Sequence, residues 1–132
     1  MAVGISVERA DSKNILPAGI GFHDDALQFY ILPYLYADGQ SVDPYEGGEF
    51  SGFALPELLE NLDDCVTYVK SLDDDQWPFT EAGAVEDYYR RGRASHHTLL
   101  APRDQVLADL AGIRTAIELA IRHGATIFFW GD

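Results

Sequence analysis

Hydrophobic residues alternate with polar ones as soon as the chain begins. Val3, Ile5 and Val7 occupy every second position of residues 2–9, which predicts a strand with one buried face. From Asp11 to Gly21 the chain turns to Asp, Ser, Asn, Pro17, Gly19 and Gly21, the composition of a loop or a short, interrupted strand. The most apolar stretch follows, from Ala26 to Tyr36. Leu27, Phe29, Ile31 and Leu35 would line one face of a strand there, with Tyr30, Leu32, Tyr34 and Tyr36 on the other. Two apolar faces predict a strand covered on both sides. Pro33 removes a ladder donor, which places that strand at a sheet edge or breaks it with a bulge. Residues 37–49 read as loop, with turn flexibility from Gly47 and Gly48, and Phe50 to Phe53 as a short strand.

The period then changes to that of a helix. Leu55, Leu58, Leu59, Leu62, Val66, Val69 and Leu72 form one apolar stripe, Pro56 suits a first helical turn, and Glu57 and Glu60 suit the positive end of the dipole. Three adjacent carboxylates, Asp73, Asp74 and Asp75, oppose a helix C-terminus and should mark its end. Gln76 to Phe79 reads as a loop with aromatic anchors, residues 82–91 as a short helix and residues 97–100 as a strand. A second long helix is expected from Pro102 to His123, carried by Val106, Leu110, Ile113, Ile117 and Ile121. Arg122 and His123 complement its negative end, and Gly124 can take the left-handed cap. Residues 125–130, apolar on both faces, predict an interior strand running back beneath that helix.

These elements predict a single α+β domain over residues 1–132, with two main helices on an antiparallel or mixed sheet of about four strands. A chain of 132 residues, 47% apolar, can bury a core without disulfides or metal. The single cysteine, Cys65, cannot form an internal disulfide and fits a reducing, cytoplasmic setting. No basic-then-apolar leader opens these residues, and no apolar run reaches membrane-spanning length.

Charge adds the strongest constraint. Residues 1–89 hold all but four of the 22 acidic residues and only Arg9, Lys13 and Lys70 as bases, whereas residues 90–132 carry six arginines. A net charge of −13 repels nucleic acid and anionic membranes and attracts basic surfaces. Arg90, Arg91 and Arg93 beside Tyr88 and Tyr89 are too few to reverse that, and are better read as partners for the chain's own carboxylates.

Catalytic patterns are sparse. His23-Asp24-Asp25 and His96-His97 contain metal-ligating residue types, but neighbours on an extended chain point apart, and no His-Glu-x-x-His, Cys-x-x-Cys or calcium-loop spacing occurs. Asp24, Asp25, Glu46 and Glu49 are carboxylates near aromatics without a pairing pattern, so general acid–base work has little support. Cys65 falls mid-helix beside the apolar stripe, where a cysteine behaves as a small hydrophobe. Neither a nucleophile elbow nor a phosphate loop is present, and no cofactor is implied.

Acids and large aromatics recur together instead. Asp24-Asp25, Asp63-Asp64, Asp73-Asp74-Asp75 and Glu86-Asp87 lie close in sequence to Tyr34, Tyr36, Tyr45, Trp77, Tyr88 and Tyr89. Interface centres favour Tyr and Trp, and rim charges steer encounter. The expectation is a non-enzymatic protein that binds a basic protein partner through loops 43–50 and 73–80. Tyr45 and Trp77 would act as anchors and Glu46, Asp73, Asp74 and Asp75 as steering charges, with Asp24 and Asp25 as outlying contacts. In size, acidity and α+β make-up the chain resembles the small immunity proteins of bacterial toxin–immunity pairs. That resemblance implies inactivation of a cognate toxin, such as a nuclease, by binding over or beside its active site. Two other expectations stand beside it: a self-assembling component using the edge at Pro33 or the strand ending at Trp130, and a small metal-dependent hydrolase using His23, Asp24, His96 or His97.

Overall fold

The final strand organises the sheet. In the computed structural model, which describes residues 4–9, 11, 14–15, 31–43, 45–73 and 103–130, β5 (Thr126–Trp130) lies between β1 (Gly4–Glu8) and β4 (Gly48–Phe50), antiparallel to both. Val7 and Phe50 both sit across from Ile127, and Ile5 across from Phe129. These residues are the buried face of the sheet, and Phe50 meets Phe129 edge-on with ring centroids 6.0 Å apart. The alternation read at Ile5 and Val7 therefore becomes a half-buried strand, and β5 takes the interior position expected for it.

The other face of β5 departs from expectation. Phe128 is half-buried and Trp130 remains 54% exposed, so the strand is not covered throughout on both sides. The two rings stack on each other at 5.4 Å, and the Trp130 indole N–H donates to Ser6 Oγ at 2.8 Å. Mutual stacking and a satisfied indole let two large rings stand on an open face.

Both long helices form where the periodicity placed them. The first, α1 (Ala54–Ser71), buries Leu55, Leu58, Leu62, Cys65 and Val69. The second, α2 (Arg103–His123), buries Val106, Leu110, Ile113, Ala116, Ile117 and Ala120. They pack against each other and, with the inner face of the sheet, enclose one core. Full burial of each Leu or Ile contributes about 1.5–3 kcal/mol, so this stripe-on-stripe contact supplies much of the stabilisation. Ile121 is a correction: it is exposed, and Ala120 takes the buried position because the helix turns its last residues toward solvent. Gly124, at φ +58, ends α2 as expected, with the Ala125 N–H donating to the Ala120 carbonyl at 2.8 Å. On the far side of the helix pair, Arg103 donates to the Leu72 carbonyl just beyond the end of α1, placing a cation at that helix's negative end.

The apolar stretch ending at Tyr36 does not form one strand. Residues 26–30 lie outside the described residues, but Ile31 is helical in conformation and Leu32–Tyr34 is a single 3-10 turn with Pro33 in its first positions. Proline fits there because its fixed φ suits a helical start and no donor is required of it. Ile31, Leu32 and Leu35 are buried, a spacing that a helical turn satisfies as well as a strand does. Residues 37–49 are likewise more ordered than a loop. Strands β2 (Tyr36–Ala37) and β3 (Gln40–Ser41) form a hairpin around Asp38 and Gly39, both with positive φ (53° and 74°). Left-handed conformation at both central residues is the type I′ geometry that Asp-Gly favours. The strand expected over Phe50–Phe53 is shifted to Gly48–Phe50, since Ser51 to Phe53 turn the chain into α1. Two helices with a three-stranded antiparallel sheet and a two-stranded hairpin make this an α+β fold. The helix expected over 82–91 and the strand over 97–100 fall outside the described residues.

Candidate partner-binding surface

Of the expected contact residues, Tyr45 and Glu46 sit side by side on a tight turn between β3 and β4. Asp43 builds that turn: its Oδ1 accepts the backbone N–H groups of Tyr45 at 2.7 Å and Glu46 at 2.9 Å. Asp43 and Gly47 also exchange backbone hydrogen bonds at 3.0 and 2.7 Å. The Glu46 and Tyr45 amides hold the Asp43 carboxyl below its ordinary pKa, since they stabilise the charged form. The turn leaves Tyr45 59% exposed, with Glu46 and Glu49 exposed beside it. Asp73 follows the end of α1 and is exposed. Asp24, Asp25, Asp74, Asp75 and Trp77 lie outside the described residues, as do His23, His96 and His97.

A second surface emerges that the loop-centred reading did not single out. On α1 the positions Phe53, Glu57, Asn61, Asp64 and Tyr68 recur at intervals of three and four, so they run along one side of the helix. The β2–β3 hairpin is fastened beside them. Asn61 Nδ2 donates to the Tyr36 carbonyl, and the Asp38 N–H donates to Glu57 Oε2 at 3.0 Å. Tyr36 is 44% exposed, Tyr68 47% exposed, and Phe53, the residue that opens the helix, is fully exposed. Tyr34 stands half-buried by the same stretch; its hydroxyl is pushed above the ordinary phenol value, chiefly by burial and then by the neighbouring Cys65, Tyr68 and Asp64. The signal for this surface was present in the sequence, because the polar positions of an amphipathic helix carry acids and aromatics together at helical spacing.

Among the described residues, Arg9, Arg103 and Arg114 are engaged within the chain, while Lys70 and Arg122 are exposed. Arg114 grips Asp63 with both arms, at 2.8 and 3.3 Å, and pairs with Glu118 one turn along α2. Arg9 pairs with Asp11 at 3.4 Å. Glu46, Glu49, Glu60 and Asp64 project into solvent outside these pairs.

Two further groups define what the interior offers. Cys65 is fully buried, and burial pushes its thiol up to about 12, so it is a packing residue and not a nucleophile. Asp109 is a carboxylate buried on the core side of α2, where Gln105 Nε2 donates to it at 3.2 Å. Its place between Val106 and Ile113 in the stripe was the available signal for a buried acid. Among the described residues no group of three His, Cys, Asp or Glu could hold a metal ion, and no helix is long and apolar enough to cross a membrane. Compared with protein families, with curated proteins and with solved structures, the chain finds no match.

Proposed function

We propose that this is a non-enzymatic binding protein that neutralises a basic protein partner, in the manner of an immunity-type inhibitor of a bacterial toxin. One observation carries the reading: along the Tyr45 turn and the outer side of α1, exposed carboxylates stand beside exposed aromatics, while Arg9, Arg103 and Arg114 are each engaged within the chain and the exposed Lys70 and Arg122 lie apart from them. The surface offered to a partner is therefore negative, with rings that can supply contact area at little entropic cost. Long-range attraction would accelerate encounter and the aromatics would hold the complex once formed. The test is the association rate of a purified cationic partner, eluted from this protein by salt, measured from low to high ionic strength. A rate that falls steeply with salt while dissociation changes little supports the reading, and an association rate indifferent to salt overturns it.

The stacked Phe128–Trp130 pair on the open sheet face favours a second reading, a self-assembling component. Light scattering separates the two: a stable dimer without any basic partner would put self-assembly first.

A further inference from the structure

The exposed side of α1 has the dimensions and the chemistry of a track. Phe53 opens it and Tyr68 closes it, fifteen residues apart on the same side of one helix, which spans about 22 Å at 1.5 Å per residue. Between them stand Glu57, Glu60 and Asp64, and Tyr36 of the hairpin lies alongside, tied down through its own carbonyl by Asn61. The nearest base on the helix, Lys70, falls on the opposite flank, with Asp63. Rings thus bracket a run of carboxylates along a helix whose other side is anchored in the core by Leu58, Leu62 and Val69.

Resting on the binding-protein reading above, we propose that the ridge Phe53–Glu57–Asp64–Tyr68, with Tyr36 beside it, is the docking surface for an extended, arginine- or lysine-rich segment of the protein partner. Charge complementarity selects that occupant. A guanidinium or ammonium laid over a tyrosine ring is attracted by the ring's negative face, and the flanking carboxylates add to the attraction. An acidic or apolar segment would leave Glu60 and Asp64 unpaired or desolvated. At about 3.3 Å per residue an extended segment of roughly seven residues covers the ridge. Its alternate side chains would face the helix.

The probe is a synthetic peptide of alternating arginine and serine, titrated into the isotopically labelled protein at low salt, with a glutamate–serine peptide as control. The expected shift changes centre on Phe53, Tyr36, Asp64 and Tyr68. Tyr68→Leu, which leaves the charge untouched, is expected to weaken binding about threefold, the scale of an exposed cation–π contact, whereas Tyr68→Phe stays close to wild type. Asp64→Asn with Glu60→Gln should weaken binding more than Glu46→Gln with Glu49→Gln, although each pair removes two charges. Binding that weakens equally for both charge pairs, or that ignores Tyr68→Leu, overturns the ridge and leaves the acidic-binder reading standing. Wild-type protein that fails to bind the arginine peptide overturns both.

Discussion

The Asp43–Gly47 turn and the α1 ridge both present tyrosine among carboxylates, yet they are built on opposite principles. The turn is a short reversal closed on itself: the Asp43 carboxylate accepts the Tyr45 and Glu46 amides, and Asp43 and Gly47 exchange backbone hydrogen bonds. The ridge rests on an eighteen-residue helix whose inner stripe is part of the core, and the hairpin at its side is fastened by Glu57 and Asn61. Similar surface chemistry is thus presented once on a short, self-closed turn and once on a helix anchored in the core. For the partner proposed above, a support already fixed by core packing would lose little conformational entropy on binding, so the ridge is the contact to test first.

Several changes would break or sharpen that contrast. The largest effect is expected from Leu62→Ala, which removes a fully buried side chain under the ridge and should cost about 2–5 kcal/mol in urea unfolding. Partner affinity should fall with it if the ridge needs a rigid base. Gly39→Val comes next. Nothing lies within 4 Å of a Cβ there, so its cost is the left-handed backbone alone, about 1–2 kcal/mol, and circular dichroism should show the helices intact. Asn61→Ala deletes the bond to the Tyr36 carbonyl at a cost of about 0.5–1.5 kcal/mol, and amide exchange should quicken in residues 36–41 but not in the Asp43–Gly47 turn.

The smallest effect concerns acid. The Asp43 carboxyl is held below its unfolded value of 3.8, so its stabilisation of the turn is complete above that pH and is lost as pH falls through the lower folded value. The amide resonances of Tyr45 and Glu46 should therefore titrate with a midpoint below 3.8, and Asp43→Asn should abolish the titration. A midpoint at or above 3.8 would show that the carboxylate does not hold the turn.

How much of this was legible follows from where the information is local. The stripes Leu55–Val69 and Val106–Ile117, the cap at Gly124 and the interior place of β5 follow from period and composition, because burial at helical or alternating spacing leaves a direct trace in the sequence. The stretch before Tyr36 misleads because an unbroken apolar run satisfies strand and helix alike, and the proline read as marking a sheet edge fits a helical turn better. Asp38-Gly39 was a readable hairpin signal that the surrounding polar residues concealed. Of the candidate site, Tyr45 and Glu46 are exposed. The helical positions of the ridge were readable from their spacing, but its fastening to Tyr36 through Asn61 needs the third dimension, which no spacing rule encodes.

The order of the sheet also bears on how this molecule comes together in time. Residues 4–8 find their strand partner in residues 126–130, with a local bridge to Asn14 and Ile15 at Val7 and Glu8 alone, and β4 depends on the same strand. Contacts so distant along the chain close slowly, because a long loop must lose its freedom before any pairing rewards it. The two helices bury their stripes without that wait. Pulse-labelled amides are thus expected to become protected first in α1 and α2 and last in β1, leaving Ile5 and Val7 unsheltered through most of folding. Until β5 arrives, the folding chain carries β1 as an apolar strand without its partner.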